Sequence, residues 1–240
     1  MCIRDRAITY QSLVVVDNAL LDNSLQLIEE RYPDIKIIKS KKNLGFAKAS
    51  NFGIIYALQK GAEYILLLNP DVVIQGNFLK PLLSLFKEKE KIGIASPVLK
   101  EKKRGRTIYT LGMRCNSIFG RTKHIHINSK KLSVLEPKEE KMVSRCAMFV
   151  KKEVFQNIGL FDERFFLYFE DSDFCLRVRK AGFKIFVHPD SIVFHKVSQS
   201  FKNSEYKKIY HNLKSNLLFI NKWVRFYFRP LAYGYLFVLF

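Results

Sequence analysis

Three carboxylates fall within four residues, Glu170, Asp171 and Asp173, directly after the aromatic run Phe165-Phe-Leu-Tyr-Phe169. One acid is enough to cap a helix N-terminus and meet its dipole. Three acids beside desolvating rings crowd like charge, which raises a carboxyl group's proton affinity toward that of a general base. A fourth acid, Asp71, follows the apolar run Tyr64–Leu68 in Asn69-Pro-Asp71. A carboxylate at a strand end can hold a hard divalent cation, Mg²⁺ or Mn²⁺, that bridges two phosphates. The plain alternative at that point is an Asn-Pro turn. His195 ends another apolar run, Ser191–Phe194, and is either a second metal ligand or a structural histidine. His124 and His126 sit in an irregular basic stretch and read as solvated.

Two further polar clusters lie upstream. Asp17-Asn18 ends Leu13–Val16, and Asp17 either accepts hydrogen bonds from a nucleobase or ribose or serves a turn, with Asp22-Asn23-Ser24 capping the helix that follows. The stretch Asn43-Leu-Gly45-Phe-Ala-Lys48-Ala-Ser-Asn51 combines a glycine that permits close approach with a lysine suited to phosphate, or is an ordinary helix entry.

These groups need a scaffold that gathers them. Leu13–Val16, Ile35–Ile38 and Tyr64–Leu68 are short apolar runs separated by the helical patterns Ser24–Tyr32 and Phe46–Lys60, the signature of buried parallel strands. A helix over 76–91 and a strand over 92–99 follow. Residues 100–141 are basic and broken by Gly105, Gly112, Gly120 and Pro137, so they read as a loop-rich excursion with short strands. A strand at 143–150, a short helix from Lys151 and a helix over 171–181 complete an α/β fold, a mainly parallel sheet flanked by helices. Ligands of such sheets bind beyond the carboxyl ends of the strands, so three polar clusters on one edge predict one site.

Composition narrows the partners. The 240 residues suit one α/β domain, and 41 Lys and Arg against 22 Asp and Glu leave a charge of +19 that favours nucleotides, nucleic acid or acidic lipid. The four cysteines, Cys2, Cys115, Cys146 and Cys175, form no C-x-x-C pair, so neither a zinc site nor a disulfide framework is expected, and a reducing cytoplasm is. The start of the chain has no apolar h-region, so export is not expected.

Taken in order, Asp17-Asn18 with Asp22 and Ser24, Asn43 to Asn51, Asn69-Pro-Asp71, Glu170-Asp171-x-Asp173 with Cys-Leu-Arg177 and Ala-Gly182, and Phe-His195 with Ser200 resemble the rhamnosyltransferase-type branch of family 2 glycosyltransferases. The likeness spans roughly residues 11–200, and five motifs in register are specific where one is weak. It implies a GT-A fold, an inverting mechanism and a metal-bound nucleoside diphosphate sugar, a dTDP- or UDP-sugar. Asp17 with Asn18, and Asn43, Gly45, Lys48, Asn51 and Asn69, would then line the nucleotide side. Asp71 and His195 would hold the metal, and Asp171 would be the base that deprotonates the acceptor hydroxyl. Glu170 and Asp173 would orient the acceptor or cap the helix. The family's opening apolar strand and Tyr-Asn turn are not found in the sequence, residues 1–6 match no part of the family, and Lys48 replaces a small residue.

Residues 1–200 are expected to form the transferase domain and 201–240 a basic aromatic tail. There Tyr210, Leu213, Leu217, Ile220 and Val224 recur at helical spacing among Lys and Arg, and Leu231–Phe240 is the start of an apolar segment. Such a helix either packs on the core or lies on an anionic membrane surface, which would put the enzyme at the inner face of the cell membrane beside a glycan or polyprenyl-linked acceptor. No nucleic acid partner is expected. The rival readings are an inactive transferase fragment and a basic membrane- or nucleic-acid-binding module.

Overall fold

A computed structural model of the protein describes residues 13–19, 22–74, 76–103, 105–196 and 205–239. Residues 1–6 and Ser200 lie outside the described residues. Strand β1 (Val14–Asp17) and strand β2 (Lys36–Lys39) flank helix α1 (Ser24–Arg31) and pair in parallel, Val15 opposite Ile37. Asp22 Oδ1 accepts from Ser24 N at 3.0 Å at the entry of α1. Helix α2 (Gly45–Gln59) lies on β1 through small residues, and a Cβ on Gly53 would stand 3.1 Å from Val16 Cγ2.

Strand β3 (Tyr64–Leu68) leads into the short strand β4 (Val72–Ile74), and helix α3 (Leu79–Glu88) follows, with Pro81 in its first turn where no intrahelical donor is lost. The second sheet has the order β3-β9-β5-β10-β4, with strands β5 (Ile92–Lys103), β9 (Ala147–Lys151) and β10 (Lys184–His195) at its centre. Strand β6 (Arg106–Asn116) extends from β5, strand β7 (Arg121–Ile127) from β6, and the two-residue strand β8 (Lys138–Glu139) pairs with β10. Helices α4 (Ser129–Leu132), α5 (Lys152–Ile158) and α6 (Glu170–Lys180) complete the domain.

The α/β class with flanking helices is as expected, but the sheet is mixed. Among the described strands only β1 with β2 and β5 with β10 run parallel, whereas β3 with β9, β9 with β5 and β10 with β4 are antiparallel. Apolar runs reveal burial on both faces, not direction. Between β3 and β4 only residues 69–71 intervene, too few for the crossover that a parallel return needs.

Residues 100–141 also differ from the expected loop-rich excursion. β5, β6 and β7 form a continuous antiparallel arm, with Leu111 and Met113 buried and Arg114 and Lys123 exposed. The alternation of apolar with basic residues is a one-sided strand pattern hidden by the glycines. Gly120 closes the β6–β7 turn at φ +63°, and a Cβ there would lie 2.8 Å from Ile220 Cγ1.

That contact is made by the tail. Helix α7 (Glu205–Trp223) buries Phe219 against Phe165 and Phe169, and helix α8 (Arg229–Leu239) lays Ala232 and Leu236 on Ile220 and Val224. Phe165, Phe174 and Phe219 are fully buried, each contributing roughly 2–3 kcal/mol of burial free energy. Of the apolar series read from the sequence, Ile220 and Val224 are spent on this packing, while Tyr210 and Leu217 are exposed. No described helix is long and apolar enough to cross a membrane.

Candidate active site

The end of β3 and the end of β10 meet because β4 folds back along β10, His195 opposite Val72. His195 Nε2 lies 3.3 Å from Asp71 Oδ2, and the Asp71 carbonyl accepts from Lys196 N at 3.0 Å. On the other side of the ring, Nδ1 is 2.8 Å from Glu101 Oε1. The Cys146 sulfur, 3.6 Å from Nε2, and the Glu101 carboxylate push the His195 pKa up to about 10, with Asp71 adding to the effect. The bond to His195 in turn holds Glu101 below the usual carboxylate range. Asn69 joins this cluster by directing its Nδ2 at the same sulfur, 3.6 Å away.

Asp71 Oδ1 is buried and has no hydrogen-bond partner. An orphaned carboxylate oxygen beside an imidazole nitrogen suits a divalent cation of the Mg²⁺ or Mn²⁺ kind, which takes its remaining ligands from phosphates and water. Among the described residues no group of three or more His, Cys, Asp or Glu side chains is arranged to hold a metal ion.

The three acids of α6 point to three different places. Glu170 is fully buried and paired with Arg145, whose guanidinium sits 4.0 Å above the Phe46 ring. Asp173, also fully buried, accepts from Arg177 Nε at 2.9 Å and Trp223 Nε1 at 2.8 Å, and lies 2.7 Å from Lys222 Nζ. Both were expected to orient an acceptor or cap the helix. Asp173, with both carboxylate oxygens bonded, ties α6 to α7, whereas Glu170 anchors Arg145 through Oε1 and keeps a buried Oε2 with no hydrogen-bond partner.

Asp171 is the one acid of the three that is not fully buried, and with Glu170 it lines a cavity of about 270 Å³ bounded by Arg121, His124, Arg145, Tyr168 and Asn212. Its Oδ1 accepts from Ser172 N at 2.7 Å, and its Oδ2 lies 3.4 Å from Arg145 N. Tyr168 and Phe169 enter the helix at φ +69° and +66°. Two consecutive left-handed residues without glycine cost roughly 1–2 kcal/mol each. Packing holds them there, with Phe169 against Phe219 at 5.0 Å between ring centroids.

At the α2 entry the polar side chains serve the chain itself. Asn18 Nδ2 donates to Asn43 Oδ1 and Gly45 O, and Asn18 Oδ1 accepts from Leu44 N. Gly45 has φ +78°, and a Cβ on it would fall 2.4 Å from Phe166 O, so the close approach there is to backbone. Lys48 pairs with Glu163 at 2.9 Å. Asn51, expected near the nucleotide, is buried and exchanges bonds of 3.0 Å with both backbone groups of Phe161. It is a clamp between α2 and the 161–163 turn. Asp17, buried at the end of β1, receives Ser40 N on its carbonyl at 2.9 Å.

The Asp71–His195 and Asp171 clusters meet on Ser144–Cys146: Cys146 touches Asn69 and His195, while Arg145 touches Glu170, Asp171 and Phe46. Inspecting residues after each strand misses this segment, since it precedes β9. Because β9 is antiparallel to β3, with Ala147 opposite Leu68, its beginning lies at the carboxyl end of β3. Glu101 was overlooked because it lies inside β5, well past the expected end of that strand at residue 99.

Comparison with known proteins bears on the family and the fold. The description Glycosyl transferase family 2 matches residues 7–159. A dTDP-rhamnosyl transferase, RfbF, of Shigella flexneri is 31% identical over 188 residues, which cover 77% of this chain and 60% of that protein. The chain thus spans less than two thirds of that relative's length. An N-acetylglucosaminyl-diphospho-decaprenol L-rhamnosyltransferase of Mycobacterium tuberculosis is 23% identical over 229 residues, 87% of this chain and 74% of the relative. Among solved structures, GalNAc-T7 with UDP, GalNAc and Mn²⁺ superimposes with a TM-score of 0.65 at 15% identity, over 88% of this chain and 42% of that one. The mannosyltransferase PcManGT of Pyrobaculum calidifontis, with GDP-Man and Mn²⁺, gives 0.55 at 15% identity, over 93% and 59%. A family match over more than half the chain and a shared GT-A fold lead to one conclusion: the chain belongs to glycosyltransferase family 2.

Proposed function

We propose that the chain is an inverting glycosyltransferase that moves a sugar, with rhamnose the first candidate, from a dTDP- or UDP-sugar to a glycan or polyprenyl-linked acceptor in surface polysaccharide synthesis. The observation that carries this reading is the separation of the α6 acids: at the cavity only Asp171 is partly exposed while Glu170 and Asp173 are fully buried, and Arg145 and Cys146 link it to the Asp71–His195 pair. The names of the rhamnosyltransferase relatives supply the sugar and the acceptor class.

In this mechanism Asp171 takes the proton from the acceptor hydroxyl as its oxygen attacks the anomeric carbon. Attack comes from the face opposite the diphosphate, whose bond to the sugar breaks, so the configuration inverts. Asp71 and His195 would hold Mg²⁺ or Mn²⁺, which would supply positive charge for the departing diphosphate. Asp17 would meet the base or ribose. Arg121, whose Nη1 is shielded from solvent without an acceptor, gives the cavity a cationic wall toward an anionic acceptor.

The tail supports a cytoplasmic enzyme lying at the inner face of the membrane. Phe226, Phe237 and Val238 are 76%, 87% and 81% exposed, beside Arg225 and Arg229, an arrangement suited to an anionic surface. The test is thermal stabilisation by UDP or dTDP with Mn²⁺, together with transfer assays. Asp171→Asn keeps nucleotide stabilisation and loses transfer, whereas Asp71→Asn loses the metal-dependent part of the stabilisation. Full transfer by Asp171→Asn would overturn the base assignment, and transfer indifferent to EDTA would overturn the metal.

A further inference from the structure

We infer that Glu101 is the positioning residue that fixes which nitrogen of His195 faces the metal, an inference that rests on the metal reading above. Glu101 belongs to β5 and His195 to β10, parallel neighbours with Phe194 opposite Lys100, so the strand pairing itself brings the two side chains together. Glu101 Oε1 lies 2.8 Å from Nδ1, while Nε2 faces Asp71 and the Cys146 sulfur. Both partners are largely shielded, with side chains 13% and 18% exposed, so water competes little for the bond. A carboxylate acceptor on Nδ1 keeps that nitrogen protonated and leaves the Nε2 lone pair for an ion held jointly with Asp71. It also fixes the ring plane. Carboxylate partners of this kind behind a ligating imidazole are worth 10–100-fold in metal affinity.

Glu101 touches neither donor nor acceptor in this arrangement and acts only through His195. It is also absent from every motif that suggested the family, lying in the basic run Leu99-Lys100-Glu101-Lys102-Lys103. Among the described residues no other acidic side chain contacts His195 Nδ1.

The experiment measures Mn²⁺ binding to the full chain in the presence of UDP by electron paramagnetic resonance, with electron spin echo modulation to detect the imidazole nitrogen. Wild type, Glu101→Gln, Glu101→Ala, His195→Ala and Asp71→Asn are compared after thermal melting has shown each to be folded. Glu101→Ala is expected to weaken Mn²⁺ binding 10–100-fold and to diminish the nitrogen modulation. Glu101→Gln, whose amide oxygen can still accept from Nδ1–H, is expected to recover most of both. Wild-type affinity and modulation in Glu101→Ala, with both lost in His195→Ala, would overturn the role of Glu101 while leaving the metal site intact. Unchanged binding in His195→Ala and Asp71→Asn would overturn the metal reading, and this inference with it.

Discussion

Asp173 gives the sharpest test of how the acidic cluster is divided. Its carboxylate is wholly buried and meets Arg177, Lys222 and Trp223 at 2.9, 2.7 and 2.8 Å. Removing one partner of a buried ion pair costs about 3–5 kcal/mol, because the remaining charge stays desolvated. Two features set Asp173→Ala near the lower end of that range. Arg177 still donates to the carbonyls of Ile158 and Leu160, and Lys222 still reaches Asp162 at 2.8 Å. A loss of about 3 kcal/mol corresponds to a fall in Tm of roughly 6–12 °C for a chain of this size. Asp173→Asn keeps an acceptor for the indole and should lose less. Trp223 is the only tryptophan in the chain, so its fluorescence in a urea titration reports on the broken bond itself. Emission should shift to the red, and the midpoint should fall. Unchanged stability and emission together with a raised acceptor KM would refute the anchor and return Asp173 to acceptor binding.

Three further outcomes are expected. Gly45→Ala should lose roughly 1–2 kcal/mol from its left-handed backbone alone, and more from the overlap with Phe166 O, read as a lowered urea midpoint. Because the His195 pKa is raised to about 10, its contribution to the stability of the metal-free protein is complete below the unfolded value near 6.5 and is lost as pH rises through about 10. Binding of Mn²⁺ at Nε2 must displace that proton, so Mn²⁺ affinity in the presence of UDP should rise about tenfold per pH unit between 7 and 9; a flat profile would exclude Nε2 as the ligand. Phe237→Glu should abolish co-sedimentation with vesicles rich in anionic lipid and leave nucleotide stabilisation unchanged, and persistent co-sedimentation would move the membrane contact elsewhere.

The sequence made some of this legible and concealed the rest for identifiable reasons. Tyr64–Leu68 is a strand with the bounds its apolar run suggested, and the acids after Phe169 do begin a helix. The joining of Asp71 to His195 came from the family resemblance, since two strand ends alone left His195 a metal ligand or a structural histidine. Arg145 and Cys146 were not, because their importance depends on the direction of β9, which hydrophobicity does not encode. Asn51 and Asp173 look functional in a motif because buried amides and carboxylates are specific about their partners. In the fold those partners are Phe161, Arg177, Lys222 and Trp223. The arm over residues 100–127 was hidden by its glycines: Gly105 and Gly120 close turns, and Gly112 sits inside β6 at a shift of register.

That arm has a consequence for engineering. Asp17 and Asp71, the proposed donor contacts, precede residue 75, whereas Arg121 and His124 of the cavity stand on β7, held to the body through β6 and the Gly120 turn against Ile220. Leu111 and Met113 of β6 belong to the core, so only the part beyond them can be exchanged. Replacing residues 114–124 with the hairpin tip of a relative, with glycine retained at position 120, should retarget the acceptor while the same nucleotide is released.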